Sequence, residues 1–190
     1  FGLQSGSSVL ISQFWGRGDR EAINRVMGIG FFVAGGISTL CALIMGFFPR
    51  QVLLLITDNL RLVELGTPYI RIVGFSYILN SLSSIYIGMQ RSIENPRFGM
   101  TVFAISTVCN TVGNYVLIFG KLGLPALGVR GAAIATVIAT FCGLAGHVTY
   151  AFVTRQPFLG FAGELFRWPS TFLRPIFRRM IPMAGNEIVF

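Results

Sequence analysis

Residues 99–119 read GMTVFAISTVCNTVGNYVLIF, a stretch without one charged side chain. A helix crosses a bilayer core of about 30 Å with roughly 20 apolar residues, so this stretch is predicted to span a membrane. On its N-terminal side lie two more such runs, Met27 to Phe48 without charge and Gly66 to Gln90 with only Arg71 near one end. On its C-terminal side Gly131 to Thr154 carries no Asp, Glu, Lys or Arg. The reading is therefore all-α: a polytopic membrane helix bundle with spans at about 27–48, 66–90, 99–119 and 131–154. Residues 1–13 read as the tail of a partial first span, and another span begins at Ile176. Turn residues separate the runs at Gly16-Arg17-Gly18-Asp19, Pro49, Asn95-Pro96 and Gly123-Leu124-Pro125.

Composition agrees with this pattern. Of the 190 residues 53% are hydrophobic and 12% charged, against about 25% charged in an ordinary soluble domain. The net charge is +8, and fourteen of the fifteen basic residues are Arg, with Lys121 the exception. A basic excess in a soluble chain suggests nucleic acid, but here the charges fall between apolar runs and act as orientation signals. Successive spans cross in opposite directions, so the linkers alternate between two faces. One face receives Arg17, Arg20, Arg25, Arg91, Arg97, Arg155, Arg167, Arg174, Arg178 and Arg179; the other receives Arg50, Arg61, Arg71, Lys121 and Arg130. Ten against five places the first face, with loops around 14–26, 91–98 and 155–179, in the cytoplasm of a multi-pass protein of the cell membrane.

The stretch Phe158 to Arg179 interleaves Phe161, Phe166, Trp168, Phe172 and Phe177 with Arg167, Arg174, Arg178 and Arg179. It reads either as an interfacial helix in the headgroup layer or as a basic connecting loop, and not as a nucleic-acid site. The chain opens at Phe1 without Met, shows no signal peptide and closes at Phe190 inside an apolar stretch, so it is read as a piece of something longer. Cys41, Cys109 and Cys142 all fall in apolar runs and read as small core-filling residues, not as a disulfide framework.

Polar residues inside the spans carry the functional information, because hydrocarbon leaves their donors and acceptors unpaired. Thr107, Asn110 or Thr111, and Asn114 follow helical spacing, and Ser76, Asn80, Ser84 and Gly88 recur every fourth residue. Each stripe has two readings: hydrogen bonding between helices, or the lining of a binding site. Small residues at Ala132, Ala135, Thr136, Ala139, Thr140 and Gly143 allow close helix approach, which is packing first. Six acids, Asp19, Glu21, Asp58, Glu64, Glu94 and Glu164, are assigned to linkers. Glu187, close after Pro182 in an apolar run, is the remaining acid, a candidate for a proton, cation or substrate, with a structural ion pair or interfacial position as the alternative. His147 is the only histidine; it can titrate near neutral pH or serve as a hydrogen-bonded or interfacial residue.

Other chemistry is missing. There is no phosphate-cradling Gly-x-x-x-x-Gly-Lys-Ser/Thr, no His-Glu-x-x-His, no Cys-x-x-Cys and no pair of acids suited to a metal. The reading is not an enzyme, without cofactor or bound metal.

Several motifs are familiar. Ser5-Gly6-Ser7-Ser8, continuing to Ser12-Gln13-Phe14-Trp15-Gly16-Arg17-Gly18-Asp19-Arg20, resembles the second-helix exit of the multidrug and toxic compound extrusion (MATE) family. Pro68-Tyr69-Ile70-Arg71 resembles the start of a later span of that family. The most specific match runs from Asn110 through Asn114-Tyr115 to Phe119-Gly120, followed by Gly128-Val129-Arg130-Gly131-Ala132-Ala133-Ile134-Ala135-Thr136. Pro182 with Asn186-Glu187 resembles the opening of the seventh helix. The resemblance covers the whole chain and implies most of the N-terminal six-helix lobe of a twelve-helix, two-lobe transporter. Residues 1–157 would be lobe helices, 158–175 the cytoplasmic basic linker, and 176–190 the start of the second lobe's first helix.

Resemblance to the family implies a secondary active antiporter that exports small organic, often cationic, compounds in exchange for Na⁺ or H⁺ by alternating access. Its partners would be the bilayer, the substrates and the coupling cation, with no nucleic acid and with the oligomeric state open. Asn110, Asn114 and Thr136 look like positions of a first-lobe site, although Asn114 stands where some members carry Asp. Glu187 looks like a seventh-helix acid used in coupling, and Asn80 is added as a candidate from its stripe. Competing readings are a flippase for lipid-linked oligosaccharides of a related fold and a non-transporting membrane scaffold. An Arg-lined cavity would favour the flippase, and the spans are nearly free of Arg.

Overall fold

The computed structural model describes residues 2–154 and Gly163. Six helices follow one another: α1 (Gly2–Gly16), α2 (Arg20–Phe47), α3 (Pro49–Leu54), α4 (Leu60–Ser92), α5 (Pro96–Phe119) and α6 (Val129–Val153). No strand occurs among the described residues. Among the described residues four helices are long and apolar enough to cross a membrane: α2, α4, α5 from Arg97 and α6.

The helices outrun the apolar runs that mark them. α2 starts at Arg20 instead of Met27, because Asp19 caps it: the Asp19 carboxylate accepts from the Ala22 amide at 3.0 Å. Its 28 residues rise about 42 Å, more than the apolar layer needs, so its charged first turns lie beyond that layer. α4 likewise begins before Gly66, with Asn59 Oδ1 accepting from the Arg61 and Leu62 amides at 3.1 and 3.4 Å. The loops expected at 14–26 and 91–98 therefore shrink to the short turns at 17–19 and 93–95, and Glu21 and Glu64 sit in helices. The short helix α3, opened by Pro49, did not show in the hydropathy pattern.

Three helices close in the same way. The amides of Asp19, Asn95 and Lys121 reach back to the carbonyls of Phe14, Gln90 and Val116 at 3.0, 2.9 and 3.0 Å. In each turn the preceding residue is left-handed: Gly18 at φ 71°, Glu94 at 65° and Gly120 at 65°. This is the Schellman motif, which satisfies the last carbonyls of a helix. Glycine takes the left-handed position twice without steric cost; Glu94 takes it with a Cβ.

The described chain divides into two compact units. One comprises residues 1–35, 82–100 and the segment from 147, and the other residues 36–81 and 101–146. The first unit holds an apolar core of Leu10 and Ile11 from α1, Ile23, Val26, Met27 and Ile29 from α2, and Ile85, Met89 and Ile93 around the end of α4. Gly30 lets α2 close on α4, since a Cβ there would come within 3.1 Å of Ile85.

In the second unit, small residues and backbone polar groups carry the contacts. Ser38 on α2 and Ser81 on α4 share a hydrogen bond of 2.8 Å. Ser106 on α5 donates to the Ala139 carbonyl of α6 at 2.8 Å. A Cβ at Gly113 would meet Ala135 at 3.1 Å, and one at Gly131 would meet the Leu117 carbonyl oxygen at 2.5 Å. This is how helices pack where lipid removes the hydrophobic drive to associate. α5 shows the consequence most plainly: only 6% of its apolar window is buried, and Phe103, Val108, Tyr115 and Phe119 are exposed. In water such a face would be an aggregation hazard; next to lipid tails it costs nothing.

The backbone contact at Gly131 gives a stability test. Gly131→Ala drives a methyl into the Leu117 carbonyl and is expected to cost about 1–3 kcal/mol, whereas Gly143→Ala, whose Cβ would find its nearest neighbour at 3.6 Å, is expected to be close to neutral. Thermal unfolding of the full-length protein in detergent compares the two.

Candidate functional site

The amide stripe of α5 splits in the structure. Thr107 and Thr111 are exposed, and each hydroxyl donates to the carbonyl one turn back on its own helix, at 2.9 Å to Phe103 and 2.9 Å to Thr107. Asn110 and Asn114 instead engage each other and α6. Asn114 Nδ2 donates to Asn110 Oδ1 at 2.9 Å, and Asn110 Nδ2 donates to Thr136 Oγ1 at 3.4 Å. Thr136 in turn donates to the Ala132 carbonyl at 3.0 Å. The approach that makes this reach possible is set by Gly113 against Ala135, one residue away on each helix.

This chain of donors runs in one direction and leaves one atom over. Asn114 Oδ1 is buried and accepts no hydrogen bond. An orphaned buried acceptor of this kind costs about 1–3 kcal/mol. A carbonyl oxygen next to a second amide can take a cation or an N–H or O–H donor. The three side chains of this triad are neutral, so the site attracts through oriented dipoles and not through net charge. Among the described residues no group of three His, Cys, Asp or Glu stands ready to hold a metal ion.

The structure thus joins three of the five candidates, Asn110, Asn114 and Thr136. Asn80 is exposed on α4. Glu187 lies outside the described residues, as do the linker at 158–175 and the segment 176–190. The serine stripe takes the structural reading where its bonds are seen: Ser76 donates to its own helix at Val73, 2.7 Å away, and the Gly88 carbonyl accepts from Ser92 at 2.8 Å. Small residues of α6 also behave as packing, with Ala133 and Ala135 fully buried. The free cysteines pair with nothing.

A second polar cluster escaped the sequence reading. Gln90, fully buried, donates to the Tyr86 hydroxyl at 2.9 Å, and Asn95 Nδ2 reaches the Tyr150 hydroxyl at 2.8 Å and Gln90 Oε1 at 3.3 Å. His147, 3% exposed, lies against the rings of Tyr86 and Phe98. Gln90 closed an apolar run and Asn95 marked a turn; nothing in their spacing showed that they meet.

The family described as MatE matches residues 1–116, from α1 through most of α5 and including both asparagines. The chain belongs to the MatE family. It is similar to the probable multidrug resistance protein NorM of Thermotoga maritima, 29% identical over 188 residues, which cover 97% of this chain and 39% of that protein. Its fold is similar to that of a MATE protein in the bent conformation, with a TM-score of 0.82 and 19% identity over 98% of this chain and 41% of the other. It is also similar to the inward-facing conformation of a multidrug resistance MATE family transporter of the MOP superfamily, with a TM-score of 0.81 and 20% identity over 96% of this chain and 41% of the other. The chain spans about two fifths of the length of these relatives. This MatE chain is accordingly a multi-pass membrane helix bundle from a family of transporters. Thr136 falls beyond the residues this family match covers, and the structure brings it to the two asparagines through its bond from Asn110.

Removing the centre of the triad tests its internal economy. Asn110→Ala deletes both inter-residue bonds and leaves Asn114 Nδ2 without its acceptor, with an expected loss of about 1–3 kcal/mol. Thr136→Val, which removes the acceptor of the long 3.4 Å bond and a hydroxyl bond to a carbonyl of its own helix, is expected to cost less. Thermal unfolding of the two full-length variants gives the order.

Proposed function

We propose that this chain is part of a secondary active antiporter that exports organic, often cationic, compounds in exchange for Na⁺ or H⁺ by alternating access. In this reading the Asn110–Asn114–Thr136 triad is a binding site of the first lobe. The observation that carries it is the buried, unpartnered Asn114 Oδ1 at the end of a chain of otherwise satisfied amides. A purely structural network would be expected to end in a partner, as the serine and threonine hydroxyls of α4 and α5 do on their own carbonyls. A ligand held there shifts the balance between inward-facing and outward-facing states only by its differential affinity for the two.

Because the triad is neutral, charge compensation for a cation would come from outside it. Glu187 is proposed as one such acid, exchanging the coupling cation or proton against a positively charged substrate. The basic residues Arg17, Arg20 and Arg91, all exposed at helix ends, support a cytoplasmic position for the turns at 17–19 and 93–95.

Transport by the full-length protein in proteoliposomes, driven by separately imposed Na⁺ and H⁺ gradients, tests the proposal. Asn114→Leu, similar in size but without the amide, removes the open acceptor together with the donor to Asn110, and is expected to lower driven efflux about tenfold or more (about 1.4 kcal/mol or more of lost binding) with the protein still folded and inserted. Efflux at the wild-type rate would remove the triad from the mechanism. Glu187→Gln is expected to lower driven efflux with expression preserved.

Orientation has its own test in intact cells, on a cysteine-free background of the full-length protein. Lys121→Cys is expected to react with a membrane-impermeant maleimide and Arg17→Cys to react only after permeabilisation. The reverse pattern would invert the topology.

A further inference from the structure

The cluster around His147 belongs to neither the triad nor its proposed transport role. It joins three elements of one unit: the end of α4 through Tyr86 and Gln90, the turn at 93–95 through Asn95, and the end of α6 through His147 and Tyr150, with Phe98 from the first turns of α5 stacked on Tyr150 at 4.0 Å between ring centroids. Its amide and hydroxyl bonds are closed on one another, from Gln90 to Tyr86 and from Asn95 to Gln90 and Tyr150.

His147 is the exception. Its ring lies 5.4 Å from that of Tyr86 and 5.3 Å from that of Phe98, and its Nδ1 is buried without a hydrogen-bond partner. In the neutral ring that nitrogen can be a bare acceptor. An imidazolium carries N–H donors on both nitrogens, and the cluster offers Nδ1 no acceptor. The titratable groups on the elements packed against it are the phenols of Tyr86 on α4 and Tyr150 on α6. The charged residues nearest along those elements, Arg91, Glu94 and Arg97, are exposed. No carboxylate of these elements stands in the cluster to receive a proton-bearing ring.

Taking a proton from water therefore forces a rearrangement: the ring leaves its aromatic walls, or water enters between them. Either loosens the contacts His147 makes with Tyr86 and with Phe98, the ring stacked on the Tyr150 whose hydroxyl takes the Asn95 bond. The turn that Asn95 anchors is already under tension, because Glu94 holds a left-handed conformation that a side chain disfavours.

We propose that this cluster is a proton-operated latch, in which neutral His147 keeps the α4–α5 turn fastened to the end of α6 and protonated His147 releases it. The latch works on the local structure of these helices and stands whether or not the triad binds a transported ligand.

Hydrogen exchange read by mass spectrometry on the full-length protein in lipid nanodiscs tests it, following peptides over residues 86–98 with intrinsic exchange rates corrected for pH. Between about pH 8 and about pH 5, the range in which histidine changes charge, the protection of these amides in the wild type is expected to fall about tenfold or more. In His147→Phe, which keeps an aromatic ring and cannot take a proton, protection is expected to stay level across the same range. Should that variant fail to fold, His147→Gln, neutral throughout, makes the same comparison with the same expectation. Asn95→Ala is expected to lose protection at both ends of the range. Wild-type protection that does not change with pH, a substituted His147 protein that falls as the wild type does, or an Asn95→Ala protein as protected as the wild type would each overturn the latch.

Discussion

In hydrocarbon a polar group that finds no partner within the protein finds none at all, and nearly every feature of this chain answers to that constraint. Three of its helices close with the same carbonyl-capping turn. Hydroxyls on α4 and α5 fold back onto their own carbonyls. Where α5 meets α6, the close contacts are made by glycine, alanine and a serine reaching a backbone carbonyl. On α5, large apolar side chains such as Phe103, Val108 and Phe119 are turned outwards, towards the only solvent that accepts them. Against that settlement, a buried amide oxygen left without a partner inside a span, as at Asn114, carries weight it would not have in a water-soluble core.

The spans were legible because hydropathy records what the bilayer selects. Their ends were not. Residues such as Glu21, Arg25 and Glu64 look like loop residues in a hydropathy reading, yet they extend helices past the apolar layer, where charge is welcome and the caps at Asp19 and Asn59 decide the start. The short α3 was hidden for a related reason: six residues are too few to show a period, and Pro49 reads as a break as easily as a beginning.

For the site, the pairing of Asn110 with Asn114 followed from one helical turn, and Thr136 came from resemblance. Thr107 and Thr111 share the same spacing but turn away, because a threonine hydroxyl can satisfy itself on its own helix and an asparagine amide, with two donors and an acceptor, does so less completely. The burial of His147 could not be read at all. It depends on rings from two other helices that lie far off in the sequence.

The link between α5 and α6 looks like an ordinary surface loop, rich in glycine and largely exposed. Yet the amides of Leu127 and Gly128 reach back to the carbonyls of Leu117 and Ile118, so its two ends are tied together at the backbone. With Gly131 pressed on the Leu117 carbonyl just beyond this tie, the register of α6 against α5 is fixed at the ends of the loop and not by its length. Residues inserted between the tied ends would bulge outwards and leave Thr136 opposite Asn110, whereas one inserted between Gly128 and Thr136 would turn the rest of α6 by about 100°.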